Sequence, residues 1–233
     1  MDKIKWIVFA VVVLGLLGGI VWFSKSNQQA ASTFKGDPSK VINDGPIADH
    51  VSGNKDQKVI LVEYGDYECP ACGSVYSSVK DLTDKYQDKL TFVFRNFPLT
   101  TIHPNALAAA TAAEAAGLQG KYWEMHDALY QNQTAWANLD SSQRGSVFES
   151  YAQQLGLDVN KFRQDLSSGD IATKIARDRD SAQTYNVDST PTFVINGKKF
   201  TESSATDIPA LTKSVEDALK LSFPGFQPAP AAS

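Results

Sequence analysis

Cysteine is almost missing from this chain: 233 residues hold two of them. That excludes a framework of structural disulfides and a zinc site built on three or four thiolates. Histidine is scarce as well. His50, His103 and His126 stand at no paired spacing, so they complete no metal half-site with the cysteines. Basic residues form no cluster of five or more, and the formal charge is −4. Nothing in that balance attracts nucleic acid or an anionic surface. Internal repeats are absent, and no EF-hand-like pattern is present. The length favours one domain or a domain with an insertion, large enough to bury a core without staples.

The two cysteines are therefore not needed for stability, and they lie close together. Cys69 and Cys72 enclose Pro70 and Ala71 in the stretch YGDYECPACG. A disulfide between them closes a tiny loop and stabilises little. Their surroundings suggest a use. Lys58–Tyr64 (KVILVEY) is a short β-branched run, hence a buried strand. After Cys72, Val75, Val79, Leu82 and Tyr86 recur at helical spacing. The CPAC segment thus sits where a strand turns into a helix. A thiol at a helix start meets unpaired backbone N–H groups and the positive end of the macrodipole. Both favour the thiolate, and Pro70 suits the first helical position. Thiols so placed titrate at roughly 3.5–7.5 in place of about 8.5. Cys69 is expected to be the exposed nucleophile. Cys72, one turn on, is expected to be the covered partner that resolves a mixed disulfide.

Around this unit the chain reads as α/β. Leu90–Phe97 is a second strand, which completes a βαβ unit. Five helical stretches follow: alanine-rich Pro104–Leu118, then Lys121–Asn132, Ser141–Leu155 capped by Ser141 or Ser142, Val159–Leu166 and Ile171–Tyr185. Thr192–Ile195 and Lys198–Thr201 form a hairpin about Asn196–Gly197, a two-residue turn signal. Ile208–Leu221 is a last helix. The order is βαβ, a helical block over about 103–186, then ββα, with the helices inserted between two halves of one sheet.

The N-terminal part differs in kind. Residues 6–23 run eighteen positions without a charge, from Trp6 to Phe23. As a helix they span roughly 27 Å, close to the hydrocarbon thickness of a bilayer. Lys3 and Lys5 precede them, which places residues 1–5 in the cytoplasm and the rest outside. No lipobox cysteine or A-x-A site follows, so an uncleaved single-pass anchor is expected, with a cleaved signal peptide as its rival. Gly15 and Gly19 form a GxxxG pair, a pattern seen at helix dimer faces. Residues 24–50 read as a polar tether, 51–222 as the catalytic domain and 223–233 as a disordered Pro/Ala-rich tail.

Four segments together resemble the DsbA-like thioredoxin-fold thiol:disulfide oxidoreductases, in particular their membrane-tethered forms. They are VILVEYGDYECPACG (59–73), FVFRNFPL (92–99), GKYWEMHDALYQNQ (120–133) and VDSTPTFVINGKKF (187–200). The resemblance implies a thioredoxin fold with an inserted helical domain. It implies that Pro191 is a cis-proline beside the cysteines and that Thr190 meets a substrate strand there. Glu63 matches a buried glutamate that relays the proton of Cys72. Trp123, Met125 and His126 match a packing pattern of the inserted domain. The family's strongest oxidases carry Pro–His within the motif and reducing thioredoxins Gly–Pro. Pro70–Ala71 departs from both, which implies a thiolate less extreme than the strongest.

The activity so implied is an oxidase that donates the Cys69–Cys72 disulfide to reduced exported proteins, with no cofactor beyond that disulfide. A quinone-linked membrane partner reoxidises it, and residues 6–23 hold it at the membrane. No dimerisation domain precedes the motif, so a monomeric catalytic domain is expected. A reductase or isomerase of the same fold, and a non-catalytic extracytoplasmic chaperone or binding module, stay open.

Overall fold

In the computed structural model the described residues are 36–56 and 58–228. The expected anchor, the first part of the tether and the last residues of the tail lie outside them. Among the described residues no helix is long and apolar enough to cross a membrane.

Two strands carry the centre of the fold. β2 (Val59–Gly65) and β3 (Leu90–Asn96) are buried along their whole length and pair in parallel. A parallel pair needs a crossover, and α1 (Pro70–Lys85) supplies it. β1 (Val51–Gly53) extends the sheet antiparallel to β3. On the other side β4 (Thr192–Ile195) pairs antiparallel with β2, and β5 (Lys198–Lys199) with β4. The sheet order is β1-β3-β2-β4-β5. Asn196 and Gly197, with φ of 47° and 78°, turn the last hairpin, the left-handed geometry that an Asn-Gly turn supplies.

Alternation along β2 divides the core. Val59 and Leu61 point to the face covered by α1 and by α8 (Ile208–Ser222), with Val75, Val79, Leu82, Leu211 and Val215. Ile60, Val62 and Tyr64 point to the other face, against Val194 and Ala182. Glu63 belongs to the first row, so the strand aims a carboxyl into the apolar layer beneath α1. This placement is what makes the residue chemically important.

The inserted block consists of α2 (Ala106–Gly117), α3 (Tyr122–Gln131), α4 (Gln133–Trp136), α5 (Ser141–Gln154), α6 (Val159–Asp165) and α7 (Gly169–Gln183). The alanines of α2 are buried on most sides, and small side chains let neighbouring helices approach closely. One local reading is corrected here. The cap of α5 is Asp140, whose carboxylate accepts the N–H groups of Ser142 and Gln143 at 2.9 Å; Ser141 is the first helical residue. The stretch after Lys121 is helical as expected, and a further short helix, α4, follows it. Trp136 of α4 is fully buried and donates its indole N–H to Leu129 O.

The tether expected over 24–50 ends earlier than its polar composition implies. Ile42 and Ile47 are buried, and Asp49 forms an ion pair at 2.8 Å with the fully buried Arg95 of β3. The same guanidinium donates to Pro38 O and Lys40 O, each at 2.7 Å. Lys174 of α7, also buried, lies 2.7 Å from Asp178, 3.5 Å from Asp49 and 3.8 Å from Glu114. Buried charges persist only when paired and hydrogen-bonded. This cluster meets that condition by folding the segment 38–50 onto the domain.

Candidate active site

Cys69 is the N-cap of α1, and Pro70 is its first residue. No side-chain oxygen caps this helix. The backbone N–H groups of Cys72 and Ala71 at this open helix start favour a thiolate on Cys69. Its titration is pulled down to about 5, first by a hydrogen bond from the Cys72 thiol, then by Thr190 and by those two N–H groups, against the opposing effect of burial. Cys72 is fully buried. Burial drives its titration well up, and the neighbouring Cys69 sulfur and the Glu63 charge add to the rise. The two thiols are thus polarised: one favours the thiolate, the other keeps its proton. Both are free in this structure. Cys69 is less open than its expected role suggests, with 6% of its surface exposed. The loop that covers it explains the difference.

That loop comes from the far end of the chain. The Thr190–Pro191 peptide bond is cis. It brings Thr190 O within 3.4 Å of Cys69 Sγ, and the thiol donates to it. Thr190 Oγ1 is buried without a hydrogen-bond partner, and its hydroxyl favours the Cys69 thiolate. Thr190→Val is expected to raise the Cys69 titration from about 5 by up to about one pH unit, one hydrogen bond being worth about 1 kcal/mol. Thiolate absorbance against pH measures this, and an unmoved curve would show that the hydroxyl contributes nothing.

Glu63 is 4% exposed. In register it lies between Phe94 of β3 and Phe193 of β4. Burial, and then the charge of Cys69, raise its carboxyl from 4.5 to about 8. At neutral pH it therefore holds a proton beside a buried thiol that needs one. Ala71 is half-buried and brings no charge to the motif.

Three side chains to which the sequence reading gave no role hold the motif in position. Gln133 of α4 donates its amide to Tyr67 O at 2.8 Å and Cys69 O at 2.9 Å. A Cβ at Gly73 would lie 2.4 Å from that amide oxygen, so any larger residue there would push the Gln133 amide from its place. Asp66 accepts the N–H of Glu68 at 2.8 Å and that of Leu99 at 2.9 Å, and it pairs with His103 at 2.8 Å. Glu68 accepts the N–H of Asn105 at 2.5 Å. The acidic residues before the cysteines thus tie the catalytic turn to the segment entering the insertion. Their sequence signal was the pair of acids in GDYEC, which face inward where a solvated turn would be expected. Trp123, Met125 and His126 pack in the insertion, Met125 completely.

A family model described as Thioredoxin matches residues 46–216. Among curated proteins, the chain is 40% identical over 173 residues to a protein named Na(+)/H(+) antiporter NhaA 1 from Salinispora arenicola, covering 74% of this chain and 25% of that protein. It is 42% identical over 154 residues to Na(+)/H(+) antiporter NhaA 3 from Salinispora tropica, covering 66% and 22%. The chain thus spans about a quarter of the length of these relatives. Among solved structures, a thioredoxin-like oxidoreductase from Silicibacter pomeroyi aligns with a TM-score of 0.58 at 25% identity, over 83% of this chain and 96% of that one. Oxidised BdbD from Bacillus subtilis aligns at 0.63 with 24% identity, over 73% and 92%. Wolbachia pipientis alpha-DsbA1 aligns at 0.66 with 19% identity, over 80% and 98%. The last two bear on the fold alone.

Proposed function

This chain belongs to the thioredoxin family, and we propose that it is a DsbA-like thiol:disulfide oxidoreductase that runs as an oxidase, donating the Cys69–Cys72 disulfide to reduced exported proteins. The observation that supports this direction is the polarised pair. A thiolate favoured at Cys69 stabilises the reduced form, and stabilising the dithiol makes the disulfide a stronger oxidant. Each pH unit of preference is worth about 1.4 kcal/mol, or about 30 mV for the two-electron couple.

The reaction follows from the geometry. A substrate thiolate attacks Cys69 Sγ, the Cys69–Cys72 bond breaks, and Cys72 leaves as a thiolate. Glu63 gives that sulfur its proton. A second substrate thiolate attacks the substrate sulfur of the mixed disulfide, and Cys69 departs as the stabilised thiolate. The substrate leaves oxidised, and the protein is left as the dithiol. Thr190 and cis-Pro191 present the backbone edge along which the substrate strand lies. A membrane partner linked to quinone takes the two electrons back. Residues 6–23 act as a single-pass anchor that keeps both proteins in one plane, with residues 1–5 inside and the catalytic domain outside.

The reduction potential tests the direction. Equilibrated in glutathione buffers, the chain is expected between about −180 and −120 mV. A value near about −270 mV, that of reducing thioredoxins, would overturn the oxidase reading and point to an electron donor in the membrane.

A further inference from the structure

The exchange above moves a proton to and from a buried carboxyl, so that carboxyl needs a path to water. Phe94 and Phe193 close Glu63 off on both sides within the sheet. Beneath α1 it lines a cavity of about 60 Å³, which Tyr76, Lys80, His126, Asp127 and Tyr130 line as well. Such a volume accommodates at least about two water molecules, given polar partners.

Polar partners are there, and packing does not account for them. His126 Nε2 and Tyr130 Oη are both buried without a hydrogen-bond partner. An unsatisfied buried polar atom costs about 1–3 kcal/mol. The His126 ring is enclosed by Tyr67, Tyr76, Phe94, Trp123 and Tyr130 at 4.9–5.7 Å. A phenylalanine would fill that cage without the penalty. The other ring nitrogen, Nδ1, lies 3.2 Å from Asp127 Oδ1. Asp127 is 29% exposed and reaches within 3.8 Å of the exposed Lys80 ammonium. One end of the imidazole therefore meets a carboxylate at the surface, and the other is unpartnered in the interior beside the Glu63 cavity.

We propose that His126 is a proton-transfer residue of the exchange reaction, passing protons between Glu63 and solvent through cavity water on Nε2 and the Asp127 carboxylate on Nδ1. During disulfide donation Glu63 loses its proton to Cys72 and regains one along this path. During reoxidation the Cys72 proton leaves the same way, so the protons balance over a cycle. The titratable groups facing His126 are Glu63 from β2, Tyr67 from the turn after it, Tyr76 and Lys80 from α1, and Tyr122, Asp127 and Tyr130 from α3. Burial lowers the His126 titration, so the ring is neutral at pH 7 and carries charge only in passing. Burial opposes ionisation of Asp127, but hydrogen bonds from His126 and Tyr76 outweigh it and keep the carboxylate ionised.

This inference rests on the proposed disulfide exchange, and the test separates the two. Multiple-turnover oxidation of a dithiol peptide by the full chain, with oxidised glutathione restoring the disulfide so that Glu63 must be reloaded in every cycle, is followed from pH 5 to pH 9. His126→Phe and Asp127→Asn are each expected to slow it at least fivefold at pH 7. The rate should then depend on buffer concentration, and the reduction potential should not change. In a Glu63→Gln background neither substitution should slow the reaction further, as two members of one path are not additive. Wild-type rates and pH profiles in both variants overturn the route, as does an equal slowing with and without Glu63. Should His126→Phe fail to fold, Asp127→Asn carries the same criteria with the aromatic cage intact. A wild-type chain that oxidises no peptide overturns the exchange reading itself.

Discussion

Cys69→Ser is expected to bring dithiol oxidation down to the uncatalysed background. Serine at the α1 N-cap preserves the fold, because Ser is a favoured capping residue and its hydroxyl suits the open helix start with its Ala71 and Cys72 N–H groups. The reaction is lost because no disulfide can form and no sulfur is left to accept the substrate. Cys72→Ala should behave differently. Cys69 remains a thiolate-forming cysteine, so in a buffer holding oxidised glutathione it attacks that disulfide, expels one glutathione thiolate, and accumulates a mixed disulfide that no Cys72 thiol is there to break. Refolding of a reduced, disulfide-containing protein and non-reducing electrophoresis read the two outcomes. If Cys69→Ser kept full function in holding and folding exported proteins, the cysteines would be incidental and the module a chaperone. The polarised thiols argue against that, because a binding groove has no need for one sulfur to titrate near 5 while its neighbour stays protonated.

How legible this site was depends on how far apart its parts lie in the chain. Strand β2, the CPAC turn and α1 are consecutive, and each carries a local signal: a β-branched run, Pro at the first helical position and apolar residues at helical spacing. Asn196–Gly197 announced its hairpin for the same reason. The segment 38–50 did not announce its packing, because what holds it are Arg95 and Lys174, distant residues whose charges read as surface charges until they are seen paired. Gln133 gave no warning either. An amide in a four-residue helix has no periodic pattern, and its partners are backbone carbonyls, which no side-chain pattern reveals. The covering of Cys69 follows from the loop at Thr190–Pro191, contributed from more than a hundred positions away. His126 is the subtler case. Its sequence context reads as packing and its ring does pack, but only the cage around it exposes an unpartnered nitrogen.

Glu63→Gln is expected to make stability depend on pH in a new way. The carboxyl titrates at 4.5 when unfolded and at about 8 in the fold, first because it is buried and then because the Cys69 charge repels it. Between those values the native state binds a proton that the unfolded chain has released, so stability falls as pH rises. The contribution is intact below pH 4.5 and lost as pH passes about 8. At about 1.4 kcal/mol per pH unit the loss approaches about 5 kcal/mol as an upper limit. Glutamine keeps the shape and cannot ionise. The variant should match wild type near pH 4.5 and exceed it by several kcal/mol, about 3–5, at pH 8, as read from urea unfolding of the reduced protein. An equal difference at every pH would mean that Glu63 is ionised in the fold and is no proton donor. Cys69 works in the opposite sense. Its titration is lowered on folding, so the native state binds fewer protons than the unfolded chain and its contribution grows with pH from about 5 upward. In the reduced wild type the two slopes offset each other over that range. Without Glu63 the thiolate of Cys69 acts unopposed, and the reduced variant should gain stability as pH rises. The site therefore keeps its acid at a cost in stability. A single buried carboxyl opposes much of what the thiolate contributes, which fits a group retained for proton transfer and not for packing.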